Sequence, residues 1–276
     1  MRKVRDGLRR LRDLRVSSVT FVVACFLALA LLAPAWAACG GVVAGDQTRL
    51  WRATAADQQV AITFLGHASF LIESPQGVKI VTDYNDMIRA PITPDIVTMN
   101  NAHPMHYTDR IEPGVKYVLR GWEPSGGIPA RNLEYRDVRI HNVATNRRDF
   151  GGTQYNANSI FVFDIGDPGA DLCIAHLGHL HHTLTQTHLE ELGTIDIVMV
   201  PVDGAFTLNQ EDMVAVLDQI KPKIAIPMHV FTQATLERFL LRAAEHYRVR
   251  HMAEQPLAVS RAGLPAEPEI VVLPGR

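Results

Sequence analysis

Short apolar runs separated by turn residues make up most of the chain from Trp51 onward. They predict β-strands over Val60–Leu65, Ser69–Glu73, Val78–Thr82, Val115–Leu119, Val138–Val143, Ile160–Phe163, Ile195–Val200 and Ile224–Ile226. The Ser-Pro-Gln-Gly sequence at 74–77 predicts a hairpin-like turn between the second and third of these strands. The first half of the domain is therefore expected to be rich in β-structure.

Helical patterns appear in the second half. Thr185 is placed to cap a helix over Gln186–Leu192, Asn209 one over Gln210–Ile220, and Thr232 a third that runs to about Tyr247. The middle helix carries an apolar stripe at Met213, Val216, Leu217 and Ile220. Because these helices alternate with strands, the pattern predicts an α/β fold with helices packed on the outer faces of two sheets.

The N-terminal segment differs in composition from the rest of the chain. Several Lys and Arg residues precede an uncharged apolar run over Val19–Ala33, and small residues surround the possible cleavage point at Ala37–Cys39. A basic segment, an apolar segment and small residues in this order are typical of a secretory signal. We therefore expect an exported protein, located in the periplasm or held in the cell envelope.

Two other interpretations of this segment stay open. Ser17–Ala38 is long enough to form an uncleaved membrane anchor, and Cys39 follows small residues as the modified cysteine of a lipoprotein does. In each case the expected organisation is a signal or anchor at 1–38, a linker at 39–59 and one folded domain at 60–276.

The distribution of charge excludes some classes of partner. The net charge of the chain is −2, and the basic residues concentrate in the N-terminal segment, so the folded domain is more acidic and has no basic stripe. Nucleic acid is therefore not an expected partner, and membrane contact is expected only through the N-terminal segment. A small molecule is the expected substrate, and the sequence does not predict an oligomeric state.

Histidines follow three of the apolar runs. His103 and His106 lie in the loop after Ile96–Val97, His179 lies in the Gly turn after Leu172–Ala175, and His229 follows the run at Ile224–Ile226. Ligand sites in α/β proteins tend to lie on the loops at strand ends, so these side chains are expected to converge. Imidazole binds Zn, Cu, Fe and Ni, and the pattern therefore predicts a transition-metal site.

The same segments resemble a known superfamily. The matching segments are Ile62–Ile72, Val81–Asp83, the loop that begins at Thr98, Asn158–Ile160, Ala175–Gly178, Pro201–Gly204 and Ile226–His229. They resemble the metallo-β-lactamase superfamily, in particular the metal-dependent hydrolases similar to the L-ascorbate-6-phosphate lactonase. The resemblance implies a four-layer αββα sandwich and a metal-activated water that attacks an ester, lactone, amide or phosphoester.

The chain departs from the metal-binding motif of that superfamily. The family's His-x-His-x-Asp-His loop corresponds to Asn101–His106, in which Asn101 replaces the first His and Met105 replaces the Asp. His179 stands in place of the bridging Asp, and no His occurs near Asn146. We therefore expect one divalent metal where the family binds two. It is expected to be zinc, with iron, copper or nickel as alternatives, bound by His103, His106, His179 and His229.

Supporting roles are expected for several other residues. His182, or else His181, is expected to shuttle protons. Asp83 ends a strand, where a carboxylate either orients a ligand imidazole or caps the strand. His67 is expected to be a hydrogen-bonded turn residue, and His176 a hydrogen-bonded core residue.

The leading functional hypothesis is an exported metal-dependent hydrolase. The loss of the family's carboxylates favours two alternatives. One is a non-catalytic member of the fold that binds a metal or a partner, and the other is a redox metal protein.

Overall fold

The structure, a computed structural model, describes residues 58–275. Its strands are β1 Val60–Gly66, β2 Ser69–Glu73, β3 Lys79–Val81, β4 Ile96–Met99, β5 Tyr117–Arg120, β6 Asn132–Tyr135, β7 Val138–Asp149, β8 Gly152–Ile165, β9 Leu172–His176, β10 Ile197–Pro201, β11 Ile224–Met228, β12 Arg248–His251, β13 Leu257–Val259 and β14 Glu269–Val272. Its helices are α1 Gln186–Leu192, α2 Gln210–Ile220 and α3 Gln233–Ala243. The predicted leader at 1–38 and nearly all of the predicted linker at 39–59 lie outside the described residues.

The strands form two sheets. The first has the order β13-β1-β2-β3-β4-β5, and the second has the order β12-β14-β11-β10-β9-β8-β7-β6. Strands β9, β10 and β11 are parallel neighbours, and every residue in them is buried. This burial on both faces explains their nearly continuous apolar sequence. Their carboxyl ends lie at one edge of the sheet, where the predicted histidines follow.

The main core lies between the two sheets. Phe70 and Ile72 of β2 belong to the same buried cluster as Phe161 and Phe163 of β8. Residues one position along each strand face the opposite way, as the alternation of side chains in a strand requires. In the second sheet this opposite face packs against the helices, whose buried residues include Met213, Val216, Leu217 and Phe239.

The outer face of the first sheet is covered differently. Leu71, Val81 and Val97 form a third buried cluster, against which loop residues such as Ile88 and Tyr107 pack. The predicted α/β fold with two packed sheets is confirmed. Within residues 58–275 the helices lie on the second sheet, and loops take the place of a helical layer on the first.

The helix caps follow the predicted chemistry. The side chains of Thr185, Asn209 and Thr232 each accept a hydrogen bond from a backbone N–H in the first turn of α1, α2 and α3. The first two helices have the predicted bounds, whereas α3 ends at Ala243, before the predicted end at Tyr247. Within residues 58–275, no helix has the length and apolar character needed to cross a membrane.

Candidate metal centre

Three histidines from separate parts of the chain meet at one edge of the sandwich. His67 lies in the turn between β1 and β2, His106 in the loop after β4, and His229 directly after β11. One ring nitrogen of each lies within 4.8 Å of those of the other two, and we call these residues the histidine cluster. The backbone N–H of His229 donates to the carbonyl oxygen of His67 at 2.7 Å, which connects the two sheets at this point.

Asp83 fixes the ring of His106. Its Oδ2 lies 2.6 Å from Nδ1 of His106, and both side chains are almost fully buried. Burial opposes ionisation of the carboxyl, but the contact with His106 outweighs it and holds the pKa of Asp83 below its ordinary value. A carboxylate at Nδ1 fixes the ring orientation and leaves Nε2 for a ligand. Asp83 is thus placed as the sequence prediction of an orienting carboxylate requires.

Asp203 plays the same part for His229. Its Oδ1 lies 2.9 Å from Nδ1 of His229. Its Oδ2 accepts hydrogen bonds from the backbone N–H groups of Ala205, Phe206 and Thr207. Burial alone would raise the pKa of Asp203, but the close contact with His229 and the hydrogen bond from Thr207 hold it well below its ordinary value.

The ring of His67 completes the cluster. Its centroid lies 4.1 Å from that of His229 and 5.3 Å from that of His106. Its Nε2 is buried and has no hydrogen-bond partner among the described residues. Burial and the neighbouring rings lower the pKa of His67 to about 3, so the imidazole is neutral near pH 7 and offers a lone pair. The predicted role of His67, a hydrogen-bonded turn residue, does not account for this free nitrogen.

His179 lies beside the cluster. Its ring centroid is 5.0 Å from that of His106 and 5.1 Å from that of His229. Its Nδ1 is 2.8 Å from Nε2 of His181, and its backbone N–H donates to Oδ1 of Asn158. Burial, with the neighbouring rings, lowers the pKa of His179 to about 2, and burial with the nearby Arg148 lowers that of His181 to about 4. Both imidazoles are therefore neutral near pH 7.

The other predicted residues lie further out. His103 is exposed, and its ring centroid is 5.7 Å from that of His106 and 6.4 Å from that of His179. Both ring nitrogens of His182 are hydrogen-bonded to the backbone. Nδ1 faces the carbonyl oxygen of Thr183 at 2.8 Å, and Nε2 accepts the N–H of Asn146 at 3.1 Å. His182 therefore has no free nitrogen for the predicted proton shuttle.

His176 lies in the core, where the sequence analysis expected it. Its Nε2 faces the carbonyl oxygen of Ala68 at 2.8 Å, and its Nδ1 accepts the N–H of Gly178 at 3.1 Å. The two bonds fix its tautomer with the proton on Nε2. This residue ties β9 to the turn before β2 and takes no part in the cluster.

The sequence analysis included Asp203 in a matching segment without giving it a role, and it gave His67 a structural role. Asp203 follows β10 as Asp83 follows β3, and this repeated position of an acidic residue near a strand end was the available signal. Asn101, which replaces the family's first His, is fully buried, and neither polar atom of its side chain has a partner within the described chain.

Comparison with known proteins identifies the family. A family model described as "Beta-lactamase superfamily domain" matches residues 61–229. A UPF0173 metal-dependent hydrolase of Carboxydothermus hydrogenoformans is 28% identical over 198 residues, which cover 62% of this chain and 84% of the relative. A UPF0173 metal-dependent hydrolase of Nanoarchaeum equitans is 26% identical over 217 residues, which cover 70% of this chain and 92% of the relative.

Solved structures show the same fold. A protein of the metallo-beta-lactamase superfamily from Thermotoga maritima is 28% identical with a TM-score of 0.57, and the match covers 79% of this chain and 100% of that one. Igni18, a metallo hydrolase from Ignicoccus hospitalis, is 18% identical with a TM-score of 0.54, covering 73% and 98%, and supports the fold alone. The family match runs from β1 to the end of β11 and contains the whole histidine cluster, and the chain therefore belongs to the beta-lactamase superfamily.

Proposed function

We propose that this protein is a metal-dependent hydrolase of small molecules that holds one divalent cation in the histidine cluster. The observation that carries the proposal is the convergence of His67, His106 and His229, whose ring nitrogens lie within 4.8 Å of one another. The names of the two UPF0173 relatives support the same activity class.

The residues present fit a transition-metal ion. His67 supplies a buried nitrogen without a partner, and His106 and His229 have Nδ1 against carboxylates, so that Nε2 is free in each. When bound, a divalent cation would act as a Lewis acid on a water molecule and on a carbonyl or phosphoryl oxygen of the substrate. Three protein ligands with an open position are the arrangement of catalytic zinc sites, and zinc is the metal that we propose.

Charge balance favours one ion. The cluster itself consists of uncharged rings when the histidines are neutral, and the carboxylates of Asp83 and Asp203 supply two negative charges beside it. One divalent cation balances these charges, whereas a second would leave two positive charges uncompensated in a largely buried site, which is costly.

The donor set also lacks the carboxylates that would help to hold a second ion. Asn101 and Met105 replace a His and an Asp of the family motif, and His179 replaces the bridging carboxylate. A neutral imidazole offers one lone pair, so His179 is unable to bridge two cations as a carboxylate does. Its Nδ1 is already used by His181.

A cavity that could hold a small molecule lies between the loop after β4, the segment after β5 and the β7–β8 hairpin. Its volume is about 310 Å³, and it is lined by Ala102, by Trp122 after β5, and by Arg147 and Tyr155 of the hairpin, whereas no residue of the histidine cluster lines it. This volume is at the lower end of the range for small-molecule sites. Within this lining, Arg147 donates a hydrogen bond to Oε1 of Gln154 at 2.7 Å.

Elemental analysis of the purified, dialysed protein tests the proposal. We expect close to one transition metal per chain, identified in the same measurement as zinc, iron, copper or nickel. His106→Ala should lose the metal, whereas the control His246→Ala should retain it. His246 is a matched control because it also pairs with a carboxylate, Asp218 at 3.1 Å, but lies at the surface. Equal metal content in the two variants would rule out the site, and close to two metals per chain would rule out the single ion.

A third variant separates the two roles of His67. His67→Ala should lose the metal as His106→Ala does, because the free Nε2 is a ligand in this proposal. If His67→Ala keeps the metal at full affinity, His67 is not a ligand and has only the role of a turn residue that the sequence predicted.

We also propose export from the composition of residues 1–38, which lie outside the described residues. The N-terminus of the protein purified from its native cells tests this. An intact Met1 favours an anchor, a start at Ala38 favours a soluble periplasmic form, and a lipid-blocked Cys39 favours a lipoprotein.

A further inference from the structure

Two exposed phenylalanines lie at the edge of the histidine cluster. Phe231 is 52% exposed, and its ring centroid lies 5.1 Å from that of His229 and 5.6 Å from that of His67. Phe206 is 60% exposed and lies 5.4 Å from Phe231 in an edge-to-face arrangement. We call these two residues the aromatic pair. Large apolar side chains left in water beside a polar site need an explanation, because most such side chains are buried.

The backbone of the aromatic pair is fixed by the same groups that fix the cluster. Asp203, whose Oδ1 faces His229, accepts the backbone N–H of Phe206 at its Oδ2. Phe231 follows His229 by two residues, and His229 is bonded through its backbone to His67. The backbone that carries the two rings is therefore fixed relative to the cluster.

We propose that the aromatic pair is the subsite for an apolar substituent of the substrate. The substrate class is then esters, lactones or amides that carry an aryl group or an acyl chain beside the reacting carbonyl. This inference rests on the proposed function, which places the reacting carbonyl at the histidine cluster. A group attached to that carbonyl then lies near Phe231, because the ring centroid of Phe231 is 5.1 Å from that of His229. Contact between an aryl group and the pair would cover apolar surface that water now covers.

The experiment measures binding without turnover. Acetohydroxamate and benzohydroxamate share a metal-chelating head and differ in the apolar group, so calorimetric titration of both into the zinc-loaded protein isolates the subsite. We expect benzohydroxamate to bind about tenfold more tightly, a difference of about 1.4 kcal/mol, because an aromatic contact adds to the free energy of the apolar area that it buries. Phe231→Ala and Phe206→Ala should each reduce this preference, with Phe231→Ala bringing the two affinities to within about twofold.

Phe150→Ala is the matched control. Phe150 is fully exposed at the tip of the β7–β8 hairpin and makes no ring contact with the cluster in the described part of the chain, so its removal should leave the preference unchanged. Elemental analysis and the urea midpoint of each variant check that metal and fold are retained.

The outcomes separate the two proposals. Equal affinity of the two hydroxamates for the unmodified protein would overturn the subsite and leave the metal site standing. A preference that survives both Phe206→Ala and Phe231→Ala would also overturn it. Failure of both compounds to bind would contradict the proposed function, and the subsite inference would fall with it.

Discussion

Gly178 holds the turn after β9 in a conformation and a space that other residues do not fit, and replacing it tests how the site is supported. Its φ is +59°, in the left-handed region. A Cβ built there would lie 2.6 Å from Cβ of Asn100 and 2.6 Å from Oδ1 of Asn158. Asn158 Oδ1 accepts the N–H of His179, and Asn100 donates to the carbonyl oxygen of Ser159 at 2.7 Å. Gly178→Ala therefore has to displace groups that hold the site together.

Two effects add in this variant. The left-handed conformation costs a residue with a Cβ about 1–2 kcal/mol. Forcing an extra methyl group into a packed, hydrogen-bonded region costs about 1–3 kcal/mol more. We therefore expect Gly178→Ala to lower the free energy of unfolding by about 2–5 kcal/mol. It should also weaken metal binding, because the N–H of His179 loses its position.

Gly77→Ala is the control for the backbone effect alone. Gly77 has a φ of +75° in an exposed hairpin turn, and a Cβ there meets nothing within 4 Å. It should lose only about 1–2 kcal/mol. Urea denaturation followed by tryptophan fluorescence measures both variants. If Gly178→Ala is no less stable than Gly77→Ala, the close packing of this turn does not stabilise the protein and the reasoning is wrong.

Two further predictions concern carboxylates. Asp83→Asn should weaken zinc binding about 10- to 100-fold in calorimetric titration, because it removes the charge that orients His106. Asp95→Asn is the control and should leave zinc binding unchanged, because Asp95 precedes β4 and pairs with Lys116 at 2.7 Å. Burial raises the pKa of Asp164 to about 6 despite its ion pair with Arg139. The folded state then keeps a proton that the unfolded carboxyl releases near pH 3.8, so the free energy of unfolding should fall as pH rises from about 4 to 6. Urea titrations across this window should show a flatter pH dependence for Asp164→Asn, and an unchanged slope would contradict the assignment.

The sequence predicts the elements whose signals are local. Helices α1 and α2 have the predicted bounds because a capping side chain marks the start and an apolar stripe marks the buried face. The hairpin turn at 74–77 forms as predicted, with the N–H of Gly77 donating to the carbonyl oxygen of Ser74. The strands that the analysis missed, β6, β12, β13 and β14, have only three or four residues each. Every residue of β12 is exposed, whereas β14 carries the short apolar run Ile270–Val272, a signal that the analysis passed over.

The site was predicted only where its residues follow buried strands. His106 and His229 were chosen for this reason, and the structure brings them together. His67 was not expected to join them, because its partner His229 is in another sheet and more than 160 residues further along the chain. His182 was chosen for its closeness in sequence to His179, whereas the orientation of its ring depends on Asn146, which the sequence does not reveal.

Backbone conformation gives an independent argument that this edge of the sandwich serves a function. Among the described residues outside glycine, only a few have positive φ, and His67, Asp83 and His229 are three of them, at 52°, 46° and 58°. Each such residue costs about 1 kcal/mol or more, and Gly would adopt the same conformation with less strain. Two of the three are in the histidine cluster and the third contacts it, and the free Nε2 of His67 adds the cost of a buried polar atom without a partner. The packing of the main core does not require this strain, because the core consists of other residues, such as Phe70 and Phe163 between the two sheets. Strain of this kind persists where binding needs the side chain, and a bound cation would satisfy the nitrogen that the fold leaves unpaired.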